Sequence, residues 1–265
     1  MSVSLTKNDI HEIDEKISTD QISAAKTLVI FVGHAHSGHS LIGALLDAHP
    51  DAAISNHLNI PKLIRDHTVS EHIILKTILA QALGNIDDQA WNNTGYSYRI
   101  PDSYQGKTKR PLVIGDKQGG ASTRIIRKNP ELLQSLQDKF SIPIKFVHVC
   151  RNMYDNIAAF AHYWGDDQVE DKHVERYFEN LETTLSIQNK IPTQDFITLE
   201  HEAFVQSPEQ HLEKLYQFLG LDIDSEYIQR LCTIVNPSSH QRRNNYTWPD
   251  TLMQKIYRLK KSLHP

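Results

Sequence analysis

Residues 27–50 read TLVIFVGHAHSGHSLIGALLDAHP, and this stretch decides the fold. Thr27–Val32 is a continuous run of β-branched and large apolar residues with no polar alternation. That is the pattern of a strand buried on both faces of a parallel sheet. Gly33 then opens a loop rich in glycine and histidine, and an apolar helix follows that Pro50 stops. Strand, glycine loop and helix in that order open a βαβ unit.

The same reading extends along the chain. Asp51–Ile54, Leu112–Gly115, Ile144–Cys150 and Phe196–Leu199 are further strand candidates, with helical stretches near 58–84, 120–138, 153–163, 169–190, 208–219 and 224–234. Alternation of strands with helices of ten or more residues predicts an α/β fold, a parallel β-sheet flanked by helices on both faces. Residues 85–110 are polar, carry Trp91, Tyr96, Tyr98 and Tyr104, and read as an excursion from the sheet over a binding cleft. Residues 236–247 form a loop by composition, ahead of a final helix. Residues 1–26 read as a polar leader in which Ile10, Ile13 and Ile17 fall at helical spacing, and 27–265 as one domain.

Composition narrows the partners. The 265 residues are 39% hydrophobic and 23% charged, which suits a globular core and excludes a disordered chain. A formal net charge of −4 offers no global field for nucleic acid or an anionic membrane. No run of about 18 apolar residues predicts a membrane span, and MSVSLTKNDIHEIDEK lacks the apolar segment of a secretory signal. Two cysteines, Cys150 and Cys232, make no disulfide framework, so a reducing, cytoplasmic setting is expected.

GHAHSGHS at 33–40 fits the phosphate-loop pattern G-x-x-x-x-G-K-[ST] except that His39 stands at the lysine position. Backbone N–H groups of a glycine turn, with the positive end of the next helix, form an anion site without that lysine. Gly33 and Gly38 permit the turn and Ser40 adds a hydroxyl. A phosphoryl-transfer enzyme would need the lysine and a magnesium carboxylate, for which Asp116 is the candidate. A metallohydrolase would use His34, His36 and His39 as ligands, although Gly38 stands where the usual aspartate belongs.

Three segments carry a more specific resemblance. Residues 31–55, FVGHAHSGHSLIGALLDAHPDAAIS, resemble the 5′-phosphosulfate loop and helix of the sulfotransferase family, above all the protein-tyrosine type. His36 takes the place of the loop's basic residue, Ser37, Gly38 and Ser40 match, and His39 replaces a threonine. Residues 145–160, KFVHVCRNMYDNIAAF, resemble the 3′-phosphate motif with Arg151 and Asp155 in register, though Ala159 stands where a serine is expected. Residues 196–221 resemble the family's strand, proline-started helix and F-L-G-L.

The resemblance implies a P-loop-like sulfotransferase fold and 3′-phosphoadenosine-5′-phosphosulfate as donor, with no metal. It implies binding by Gly33, His36, Ser37, Gly38, His39, Ser40, Lys117 and Arg151, and by Arg242 and Arg243 in a basic C-terminal loop. His36 would protonate the leaving oxygen, which predicts turnover lost on the alkaline side and kept in a His36→Lys variant. His57 is the general-base candidate, with His201 and Glu202 as runners-up. The acceptor is a small molecule, glycan or peptide bearing a hydroxyl or amine, and the oligomeric state is open. A noncatalytic nucleotide-binding relative is the alternative. Arg124, Arg127 and Lys128 read as a solvated helix face.

Overall fold

The computed structural model describes residues 6–56, 58–84, 92–93, 96–238 and 241–263. The chain enters through helices α1 (Lys7–Lys16) and α2 (Thr19–Ile22) and runs into strand β1 (Thr27–Gly33). After α3 (His39–Asp47) come β2 (Ala52–Ser55), α4 (Ile60–Asp66) and α5 (Glu71–Gly84). A two-residue antiparallel pair, β3 (Asn92–Asn93) and β4 (Tyr96–Ser97), lies within the polar excursion. The sheet resumes with β5 (Val113–Asp116), then α6 (Gly119–Lys128), α7 (Leu132–Lys139) and β6 (Ile144–Cys150). Helices α8 (Met153–Trp164) and α9 (Asp171–Lys190) lead to β7 (Phe196–Glu200). Helices α10 (His201–Gln206), α11 (Pro208–Leu219), α12 (Ser225–Cys232) and α13 (Asp250–Leu263) complete the chain.

Five strands make one sheet in the order β2-β5-β1-β6-β7, and every pairing in it is parallel. All five match the strands expected from sequence to within a residue or two at each end. In β1 alternate residues face opposite ways. Leu28, Ile30 and Val32 join a core with α5 and α7, while Val29 and Phe31 join a second core with α3 and α11. Helices therefore cover both faces. A third cluster packs α8, α9 and α13 through Ile157, Val174, Phe178 and Ile256. The N-terminal residues join the first core, with Ile17 and Ile22 buried and Lys76 Nζ on α5 bonded to Asp14 Oδ1 at 2.6 Å.

Two helices expected as single stretches are broken. Residues 58–84 divide where His67 turns to extended backbone, and 120–138 divide at Asn129, ahead of Pro130, which has no N–H to continue a helix. Helix α10 was not read from sequence; its short HEAFVQ stretch ends at Ser207, whose backbone the following proline restricts.

The chain leaves β1, adds β2 and β5 on one side, then crosses to β6 and β7 on the other. The carboxyl end of β1 is thus the topological switch point, where open α/β sheets bind ligands. The loop there is clamped from beneath. Gly33 and Gly38 have φ of +117° and +106°, and a Cβ would meet His148 Cδ2 at 2.6 Å and His201 Cδ2 at 2.4 Å, respectively. The Gly33 N–H donates to Thr123 Oγ1 at 2.8 Å. His34 Nε2–H donates to the Tyr177 carbonyl at 2.9 Å and its ring stacks on that of Tyr177. His39 Nε2–H donates to the Val32 carbonyl at 3.2 Å.

Asp116 anchors the adjoining connection. Its carboxylate accepts from Ser55 Oγ at 2.8 Å, Leu58 N–H at 3.0 Å, Asn59 N–H at 2.9 Å and Gln118 N–H at 3.3 Å. Asp116→Asn replaces one acceptor oxygen by a donor facing buried donors, and is expected to lower unfolding free energy by about 2–3 kcal/mol in urea titration. A loss near zero would show that these bonds do not hold the connection.

Burial pushes His34 down to about 4 and His39 and His148 down to about 3. Their folded values lie below that of an unfolded histidine, so the unfolded chain takes up protons first. This stability is present above pH ~6.5 and is lost as pH falls from there toward 4. The urea midpoint is expected to fall steeply between pH 6.5 and 4.5, each ring contributing on the order of 1 kcal/mol per pH unit. His148→Gln should give a shallower slope; equal slopes would refute the assignment.

Candidate functional site

Helix α3 begins directly from the loop, with Gly38 as its N-cap and no side chain capping it. Among the described residues, the backbone N–H groups of Gly38, His39 and Ser40 at the start of α3 have no hydrogen-bond acceptor. A row of unpaired donors at a helix N-terminus, under the positive end of the helix dipole, is an anion cradle. Ser37 adds no outward hydroxyl, because its Oγ–H donates to the His34 carbonyl at 2.8 Å. Ser40 is different: its Oγ accepts from Lys117 Nζ at 2.7 Å.

Lys117 follows β5, next to β1 in the sheet, so the strand order itself delivers an ammonium group to the head of α3. Burial draws its pKa down to about 8, against the opposing pull of Asp116. Two guanidinium groups approach from the other side. Arg151 follows β6 directly, and its Nη1 donates to the His36 carbonyl at 3.2 Å. Burial lowers the pKa of both His36 and Arg151, Asp155 and Glu202 oppose it at Arg151, and Arg242, on a one-turn helix at 242–245, lies near enough to add to the lowering at both. Arg242 has no carboxylate partner among the described residues. Asp155 instead binds Arg243, accepting from its backbone N–H at 2.9 Å and from its Nη1. Arg243 therefore fastens the C-terminal loop to α8, while Arg242 faces the cradle.

His36 has φ of +63°, and its ring lies 5.7 Å from Phe160 and 5.0 Å from Tyr163. Burial, then Arg242, Arg151 and His162, lower its pKa to about 4, so the ligand-free ring is neutral at pH 7. His57 lies outside the described residues, as does Trp91. The chain flanking His57 is held to Asp116 through Ser55, Leu58 and Asn59. His201 packs under Gly38, and Glu202 Oε1 accepts from Asn152 N–H at 3.0 Å. Ala159 is buried and brings no hydroxyl to the site.

A cavity of about 590 Å³ opens beside the cradle at the carboxyl ends of β6 and β7, lined by Arg151, Asn152, Glu200, Glu202 and Arg243 among others. From the polar excursion, Tyr98 comes close enough to act on the charge of Arg151, whereas Tyr104 packs beside Tyr227. The competing readings fare poorly on geometry. The four donors on Asp116 occupy the carboxylate a magnesium ion would need. His34 and His39 turn Nε2 to different backbone carbonyls rather than toward a common centre.

The fold has counterparts among known proteins. The model of the Sulfotransferase family matches residues 29–225, about three quarters of the chain. The sulfotransferase domain of the Synechococcus PCC 7002 olefin synthase superposes with a TM-score of 0.53 at 15% identity, over 94% of this chain and 98% of that one. A sulfotransferase from Mycobacterium avium gives 0.51 at 12% identity, over 96% and 81%. One from Mycobacterium tuberculosis H37Rv gives 0.51 at 10% identity, over 97% and 80%. At these identities the likeness is one of fold. No curated protein matches in sequence. With the family motif running from β1 to the start of α12, the chain belongs to the sulfotransferase family.

Proposed function

We propose that the chain transfers a sulfuryl group from 3′-phosphoadenosine-5′-phosphosulfate to a hydroxyl or amine of a small molecule, glycan or peptide, in the cytoplasm and without a metal. The observation that carries this reading is the meeting of Lys117, Arg151 and Arg242 around a glycine cradle where the N–H groups of Gly38, His39 and Ser40 lack acceptors among the described residues. Like charges drawn together in a half-buried site call for a polyanion, and a nucleotide bearing phosphates and a sulfate meets that requirement.

The residues fit such a donor. Gly33, its own N–H taken by Thr123, would shape the loop, and Gly38 with the N–H groups of His36, Ser37, His39 and Ser40 would hold the phosphosulfate end, with Lys117 bridging from Ser40. Arg151 and Arg242 would hold the distal phosphate, and Arg243 sets the position of Arg242 through Asp155. The cavity beyond Arg151 has room for the nucleoside. Bound there, the donor supplies a sulfuryl group that leaves its phosphate as the acceptor atom bonds to sulfur. Lys117 and the helix dipole balance the charge gathering on the departing oxygens. His36, neutral in the free chain, donates a hydrogen bond at the edge of the acceptor side and becomes charged only as a polyanion raises its pKa. His57 would take the acceptor proton.

Two measurements test this. Saturating 3′,5′-ADP is expected to raise the melting temperature by about 5 °C and ATP by less, and donor labelled with sulfur-35 should be consumed with a panel of hydroxylated acceptors. Stabilisation by 3′,5′-ADP without transfer to any acceptor would favour the noncatalytic reading, which Ala159 and the neutral His36 support. Equal or no stabilisation by either nucleotide would overturn the assignment.

The pH profile separates the two candidate cations. Lys117 must be charged to act, so kcat/KM is expected to fall as pH rises through about 8, the value set by its burial. In Lys117→Arg, whose guanidinium does not titrate there, that limb should vanish even if the rate drops. An alkaline limb unchanged in Lys117→Arg but abolished in His36→Lys would hand the role to His36.

A further inference from the structure

Arg124, Arg127 and Lys128 lie at helical spacing on α6, which suggests a solvated face. The structure departs from that: Lys128 is exposed, whereas Arg124 and Arg127 are half-buried. Both lie near enough to Arg176 on α9 to depress its pKa, as burial does first. This is a knot of three guanidinium groups in a chain of net negative charge. Among the described residues the carboxylate paired with it is that of Glu179, bound to Arg127. Among the described residues neither Arg124 nor Arg176 has an ion-pair partner, and the buried Nε of Arg176 has no acceptor.

The helices that carry the knot also support the loop from beneath. Thr123, one residue before Arg124, accepts the Gly33 N–H. Tyr177, one residue after Arg176, accepts from His34 and stacks on it. The backbone of α6 comes so close that a Cβ on Gly120 would lie 2.5 Å from Ala35 N. Aromatic surface adjoins the charge. The Arg176 guanidinium lies 5.8 Å from the ring centres of both Phe160 and Trp164, and Phe160 also touches His36. Tyr163 and Trp164 are 66% and 41% exposed on the same helix end, where the Trp164 ring adjoins that of Phe160. The nearby Lys172 is bound to Asp166 and Glu170, so it neither neutralises nor adds to the surplus.

A ledge of flat apolar surface carrying unpaired guanidinium groups, on the His36 side of the cradle, is complementary to an aryl compound with an anionic substituent. We propose that Arg176 and Arg124 select the acceptor, binding a carboxylate or similar anion on an aromatic molecule whose hydroxyl then faces the loop. This rests on the donor occupying the cradle, but acceptor binding can be measured without it.

The test uses 3-(4-hydroxyphenyl)propionate and its methyl ester, which differ only in charge, titrated calorimetrically into the full chain with and without 3′,5′-ADP. The acid is expected to bind about tenfold tighter than the ester. That preference should disappear in Arg176→Gln and shrink in Arg124→Gln, a half-exposed position where folding is not at stake. Arg176→Lys keeps the charge but loses the planar group lying against both rings, and should retain only part of it. Equal affinity for acid and ester, including no measurable binding of either, overturns the proposal, as does a preference that survives both Gln variants. Preference for the acid without any 3′,5′-ADP binding would leave the ledge standing and sink the donor assignment; 3′,5′-ADP binding without the preference would do the reverse.

Discussion

The carboxyl end of β1 imposes the constraint from which the site follows. The strand is buried on both faces, so the chain cannot turn gradually. It must reverse within a few residues into α3, and two of them, Gly33 and Gly38, take left-handed backbone with a histidine ring where a Cβ would go. That turn delivers the chain to the head of α3, whose first N–H groups no side chain caps. Buried or half-buried donors without acceptors disfavour the folded state by about 1–3 kcal/mol each unless water or a ligand meets them. The loop is therefore stable only because its underside is heavily supported, by Thr123 on Gly33 and by the His34–Tyr177 and His39–Val32 bonds.

Around this turn the strand order does electrostatic work. Lys117 arrives from β5 on one side of β1 and Arg151 from β6 on the other, because both strands are hydrogen-bonded to β1; β6 ends beside Gly33, whereas β5 ends opposite Ile30 and Lys117 reaches forward to Ser40 Oγ. Arg242 comes from 91 positions further along the chain and is placed by the anchoring of its neighbour Arg243 to Asp155. The surface charge of the whole chain is negative, yet the switch point is cationic. Global charge thus says little about what this molecule binds, and local topology says much.

The sheet was legible in the sequence because its strands are short apolar runs bounded by polar or turn-forming residues; β1, β2 and β5 are buried throughout, and the edge strand β7 is partly exposed. The cradle was legible for the same reason, as glycines at fixed distance from a strand end. The three loop histidines were not separable. Nothing in H-x-H-x-x-H shows that His34 and His39 point down into the core while His36 faces Phe160 and Tyr163. Nor could local sequence distinguish Arg242 from Arg243, since the difference lies in a carboxylate on a distant helix. Arg124 and Arg127 read as solvent-facing because helical periodicity reports the helix's own face and carries no information about Arg176 opposite. Long-range charge pairing is what the sequence withholds.

The histidine at position 36 is consistent with this crowding. Two like charges about 6 Å apart repel by about 3 kcal/mol at an effective dielectric near 20. With Arg151 and Arg242 already acting on His36, a permanently charged lysine there would add such a penalty in the free chain. An imidazole avoids it by staying neutral until a polyanion arrives, while its N–H remains available as a donor. The cation missing from the loop is supplied instead by Lys117, whose bond to Ser40 Oγ puts an ammonium at the head of α3 from a different strand. Charge balance can therefore be kept while the loop sequence drifts from its usual form, provided the strand order is kept, because position in the sheet delivers the charge.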